Sequence, residues 1–158
     1  MFIIRPLIKK IALILCFTAW MLPAHAQDAS YISNHKVMAF VLSELYGIPT
    51  PVILAVAAVE SSGGAGPAAK VLNNHFGIEG KNHIVNQYGH KSRYKQYNNV
   101  FESYLDFCKL ITRKSFYSRL KNRDDVTAWV RAISHAGYSE QPEQWEASVL
   151  KVLASNKK

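Results

Sequence analysis

Apolar positions recur at three-and-four spacing in "HKVMAFVLSELYG", where Val37, Phe40, Val41 and Leu45 fall on one side of a helix that Gly47 ends. This predicts an amphipathic helix. The next segment has no polar face. Thr50 serves as N-cap, Pro51 takes the first helical position, and "VILAVAAVE" is apolar all round, so this helix is expected at the centre of the core with Glu60 in its last turn. Residues 73–99 break the helical period. "NNHFGIEG" is turn-rich around Phe76 and Ile78, and "HIVNQY" and "SRYKQY" on either side of Gly89 predict a short polar hairpin. Helical spacing returns in "NNVFESYLDFCKLIT", with Asn99 and Glu102 as a capping box and Phe101, Leu105, Cys108 and Leu110 as the buried side. Two more helices are expected, one through "RDDVTAWVRAISHAG" to Gly137 and one from Pro142 through "EQWEASVLKVLA".

The first 26 residues do not belong to this pattern. Arg5, Lys9 and Lys10 precede the apolar run "IALILCFTAWML", which is shorter than the ~20 residues a spanning helix needs, and "AHA" closes at Ala26. This reads as a signal peptide, so an exported chain is expected, periplasmic or secreted, with no integral membrane segment after cleavage. Cys16 leaves with the signal, and the remaining Cys108 has no partner for an internal disulfide, so stability must come from a core. The rest is one domain: residues 27–47 as its N-terminal helical segment, 48–154 as its main body and 155–158 as a basic tail. The signal removes three of the 19 Lys and Arg and none of the 11 Asp and Glu. The remaining excess is modest, and outside the cell it points to wall polymers rather than nucleic acid.

Glu60 is the first candidate for chemistry. Apolar neighbours and the negative end of the helix dipole both disfavour its charged form, which would leave a protonated carboxyl near neutral pH. A solvated helix end is the plain alternative. "GAGPAA" after it resembles a dinucleotide fingerprint, but it follows a helical pattern instead of a strand and contains Pro67, so no nucleotide cofactor is expected. Ser61 and Ser62 lack the Gly-x-Ser-x-Gly elbow. His75, His83 and His90 fit no common ligand spacing, so no metal is expected. Tyr88, Tyr94 and Tyr97 combine apolar faces with polar tips, suited either to stacking on sugar rings or to lining a core.

In order, "AAVESSGG", "NNHFGIEG", "YKQYNNVFESYLDF", "SFYSRL", "AW" and "AGYSEQP" resemble the glucosaminidase domain of glycoside hydrolase family 73, over nearly the whole chain after the signal. The resemblance implies a mainly α (α+β) fold, a lysozyme-like helical domain with a small β-hairpin lobe beside the cleft. It implies cleavage of peptidoglycan glycan strands at N-acetylglucosamine; a monomer is expected, with a cell-envelope assembly as a further candidate partner. It assigns Glu60 as catalytic acid and Tyr138 to the cleft, and it puts Asn73, Asn74 and Phe76 beside the acid among the substrate-binding residues. Two departures stand out. Ser62, Gly63 and Gly64 replace the family's Gly-Trp-Gly, which would remove an aromatic wall from the groove. No Asp or Glu lies between Gly80 and Phe101, where family members often carry a second carboxylate; Glu79 and Glu102 are the nearest candidates. A single-acid or substrate-assisted hydrolase is expected, with a lytic transglycosylase or a non-catalytic glycan-binding scaffold as alternatives.

Overall fold

The computed structural model describes residues 24–83 and 92–156. Among the described residues seven α-helices follow one another: α1 (Ala24–Tyr46), α2 (Thr50–Ser61), α3 (Pro67–Leu72), α4 (Val100–Thr112), α5 (Tyr117–Leu120), α6 (Val126–Ile133) and α7 (Pro142–Ser155). A wide π-type turn, Ser134–Tyr138, joins α6 to α7. Most of the expected signal peptide, residues 1–23, and the residues Tyr88 and His90 lie outside the described residues. No helix among the described residues is long and apolar enough to cross a membrane.

The mainly helical expectation holds, and α2 is its centre. Every residue from Val52 to Ala58 is buried, and α1, α4, α6 and α7 pack around this helix. Its start is shifted by one position: Pro49 is the cap residue and Thr50 already lies in the helix, which has no side-chain cap. Gly47 ends α1 in the left-handed region, as its sequence position suggests.

The orientation of α1 is the opposite of the expected one. Val37, Phe40, Val41 and Leu45 form an exposed stripe, with Val37 77% accessible, while Tyr31, Ala39 and the 0%-accessible Leu42 face inward. The alanines of α2 give the reason. Ala39 and the buried alanines of α2 belong to one core cluster, and small residues let packed helices approach closely.

Helix α4 shows a smaller rotation. Ser103, Tyr104, Phe107, Cys108 and Ile111 are buried, whereas Phe101 is exposed and Leu105 and Leu110 are half-buried. Its cap forms: Asn99 Oδ1 accepts from the Glu102 N–H at 3.0 Å, and the Glu102 carboxylate reaches back to the Asn98 N–H at 3.0 Å, one residue before the expected partner.

No strand forms among the described residues. A single antiparallel bridge joins Glu79 to Tyr94, extended by the Lys95 N–H donating to the Ile78 carbonyl and the Gly80 N–H to the Arg93 carbonyl. The expected hairpin partner "HIVNQY" lies outside the described residues from residue 84 on; among the described residues "SRYKQY" meets the 78–81 segment. Asparagine side chains replace a regular ladder. Asn74 Nδ2 donates to the Ile78 and Lys95 carbonyls, and Asn82 Nδ2 to those of Ser92 and Tyr94.

Candidate active site

The small residues after Glu60 form a helix stop. Ser61 Oγ donates to the Ala57 carbonyl at 2.6 Å and accepts from the Gly64 N–H at 2.9 Å. Ser62 adopts a left-handed conformation and the Gly63 N–H returns to the Ala58 carbonyl at 2.8 Å. With the last turn fixed, Glu60 projects from the end of a buried helix into a cleft of about 870 Å³.

Glu60 Oε1 accepts a hydrogen bond from Trp145 Nε1 at 2.5 Å. Burial raises the Glu60 pKa above the ordinary carboxylate range, and the indole N–H, which favours the charged form, offsets only part of that rise. Glu60 Oε2 faces Gly77, where a Cβ would lie 3.3 Å from it. The group is thus neither a freely solvated helix end nor one half of an ion pair.

Tyr138 lies beside it, at the end of the π-type turn. Its hydroxyl donates to the Phe76 carbonyl at 2.8 Å, and its ring packs on Trp145 with centroids 5.4 Å apart. Burial and the neighbouring Glu60 hold its pKa well above the usual value, so it stays a neutral phenol.

The remaining candidates separate into two groups. Glu79 and Tyr94 line the cleft: Glu79 pairs with Arg93 at 3.2 Å, and the Arg93 guanidinium sits 5.5 Å from the Tyr94 ring centroid. Phe76 borders the cleft, but its ring stacks on Phe107 in the core at 4.2 Å.

Asn73, Asn74 and Tyr97 serve the scaffold. Asn73 takes a left-handed conformation after α3 and donates to the Tyr97 carbonyl. Asn74 Oδ1 accepts from the Phe76 and Ile78 N–H groups, which shapes the turn carrying Gly77. Tyr97 is buried and donates to Asp106 Oδ2 at 2.9 Å, a carboxylate that Lys95 also reaches at 2.6 Å. Glu102 is an exposed cap held below the usual carboxylate range by its Asn98 hydrogen bonds, and it does not line the cleft.

Gly63, at the position of the family's tryptophan, lines a separate depression with Gln27, Tyr31, His35 and His75. His75 belongs to a buried network there: Tyr31 Oη lies 2.6 Å from His75 Nδ1 and 2.7 Å from Tyr104 Oη. Among the described residues no group of three or more His, Cys, Asp or Glu is arranged to hold a metal.

The sequence reading missed Trp145 and Glu140, both of which line the cleft. Trp145 stands 85 residues from Glu60, beyond any local period. Glu140, in "AGYSEQP", had a signal that could have found it: an acidic residue two positions beyond Tyr138 in a turn already placed at the cleft.

The chain is thus a mainly helical domain with Glu60 at an open cleft. The chain matches the glucosaminidase family, described as mannosyl-glycoprotein endo-beta-N-acetylglucosaminidase, over residues 37–158, and belongs to it; this is glycoside hydrolase family 73. No curated protein sequence matches the chain. Among solved structures, the glycoside hydrolase domain of Salmonella typhimurium FlgJ is similar at 22% identity, covering 80% of this chain and 86% of that one with a TM-score of 0.64. The catalytic domain of the Listeria monocytogenes autolysin Auto is similar at 16% identity over 98% and 96% of the two chains, with a TM-score of 0.66. A structure of a type VI secretion system effector-immunity complex from Pseudomonas protegens is similar at 18% identity over 82% and 93%, with a TM-score of 0.60.

Proposed function

We propose that this chain is an exported peptidoglycan hydrolase that cleaves glycan strands at N-acetylglucosamine, with Glu60 as general acid. The observation that carries the reading is the Glu60 carboxyl, held by Trp145 in the cleft and with its pKa raised by burial. Export is supported by the charged, apolar and small-residue order of residues 1–26.

In the first step the bond between the anomeric carbon and the bridging oxygen breaks, and that oxygen takes the Glu60 proton and departs as a hydroxyl. The carbonyl oxygen of the 2-acetamido group closes onto the anomeric carbon, giving a cyclic oxazolinium cation. Water then adds to that carbon, passes a proton to the Glu60 carboxylate, and the ring reopens as a new reducing end. Tyr138, with its proton engaged by the Phe76 carbonyl, offers lone pairs that accept from the acetamido N–H or lie against the developing positive charge. Glu79 and Glu140 line the same cleft, Glu79 in a solvent-exposed pair with Arg93.

The test is digestion of purified peptidoglycan by residues 27–158 and by its Glu60→Gln variant, with mass analysis of the fragment ends. Reducing ends from the native chain and none from the variant support the reading. Anhydro ends would make the enzyme a lytic transglycosylase, and binding without release by either protein would make it a glycan-binding module.

A further inference from the structure

The two oxygens of Glu60 have different surroundings. Oε1 receives the Trp145 indole N–H at 2.5 Å, and an indole nitrogen donates but never accepts. Oε1 must therefore be an acceptor whether the carboxyl is neutral or charged. In the neutral acid the carbonyl-type oxygen is the better acceptor, which leaves the acidic hydrogen on Oε2. That oxygen faces Gly77, and Gly77 lines the cleft without a side chain to cover it.

We propose that Trp145 is a positioning residue that fixes Oε1 as a permanent acceptor and makes Oε2 the oxygen that delivers the proton, toward the part of the cleft above Gly77. This rests on Glu60 being the acid. The scissile bridging oxygen then docks on the Gly77 side of the carboxyl group, and the carboxylate left after transfer keeps the indole N–H as its donor. Trp145 is well placed for this role because its ring is buried and packs against Tyr138, so the N–H direction is set by the core as well as by Glu60.

The role predicts a change in pH dependence that a packing residue would not produce. Removing the N–H withdraws a donor that favours the charged carboxylate, so the Glu60 pKa rises further and the alkaline limb of the kcat profile moves upward, by about one pH unit for the loss of one charge-assisted hydrogen bond. Orientation is lost as well, so kcat falls about ten- to a hundred-fold with little change in KM.

The decisive variant replaces Trp145 with benzothienylalanine, which exchanges the N–H for sulfur in a ring of nearly the same shape; Trp145→Phe is the genetically simple companion. Both are assayed on peptidoglycan across pH beside the native chain and Glu60→Gln, with melting temperatures recorded. An upward shift of the alkaline limb and a lower kcat in the isostere, at a native-like melting temperature, are expected. An unchanged profile and kcat in the folded isostere, with Glu60→Gln inactive, would overturn the role of Trp145 alone. Activity in Glu60→Gln would overturn the assignment of the acid itself.

Discussion

The Tyr138 hydroxyl donates to the Phe76 carbonyl, tying the π-type turn before α7 to the turn that carries Gly77. Both walls beside Glu60 are thus joined by one hydrogen bond. Tyr138→Phe should lower stability by about 1 kcal/mol, the net value of such a bond. On the proposed role of Tyr138 it should also lower kcat, because the hydroxyl lone pairs assigned to the substrate are lost. Urea denaturation and steady-state kinetics on peptidoglycan measure the two effects separately. Loss of stability with unchanged kcat would confine Tyr138 to the scaffold.

Burial of the Glu60 carboxyl works against stability at neutral pH. Its folded-state pKa lies above its unfolded value because burial disfavours the charge. Between those two values the folded chain binds more protons than the unfolded chain, so stability falls as pH rises through that window, and below the unfolded value the penalty vanishes. Glu60→Gln should therefore match or exceed native stability at neutral pH and lose that advantage in acid. Thermal unfolding over roughly pH 4 to 8 tests this, covering the window above the ordinary Glu value.

His75 acts in the opposite direction. Burial and the adjacent His35 lower its pKa from 6.5 to about 4. Between these values the unfolded chain binds the extra proton, so stability rises with pH across the window and is progressively lost as pH falls from 6.5 to about 4. The His75 ring also shares a hydrogen bond between Nδ1 and the Tyr31 hydroxyl, so its charging perturbs that buried contact. His75→Gln should flatten this dependence, and a native-like slope in that variant would locate the acid sensitivity elsewhere.

The reversed face of α1 gives a contrast between two neighbouring positions. Leu42 is fully buried and Phe40 is largely exposed. Leu42→Ala should cost about 2–5 kcal/mol by leaving a cavity, whereas Phe40→Ser should stay within about 0.5 kcal/mol. Urea midpoints of the two variants decide it, and a large loss at Phe40 would mean that its stripe is covered in solution.

The same pair marks how far the sequence could be read. Helix α2 is apolar on every side, so its burial followed without knowledge of its neighbours, and Glu60 at its end followed too. Helix α1 carries apolar residues on two faces, and periodicity finds a stripe without saying which face meets an alanine-rich partner. The Glu79–Tyr94 pairing was hidden because Asn74 and Asn82 side chains, not an alternating strand pattern, hold it. The Trp145 bond to Glu60 is a tertiary contact between the ends of two distant helices, for which no spacing rule exists.

Gly77 joins backbone geometry to chemistry. Its φ is +65°, in the left-handed region, and a methyl group there would come within 3.3 Å of Glu60 Oε2. Gly77→Ala should therefore carry two penalties: about 1–2 kcal/mol of backbone strain, and crowding of Glu60 Oε2, the oxygen proposed to deliver the proton. Gly137→Ala provides the comparison, since its φ is +76° but an added Cβ meets nothing within 4 Å. The two variants should lose similar stability in urea denaturation. Gly77→Ala should lose far more kcat, because the methyl group occupies the approach of the bridging oxygen to Oε2. Equal losses of activity in both would mean that strain in the cleft backbone, and not access to Oε2, limits the reaction.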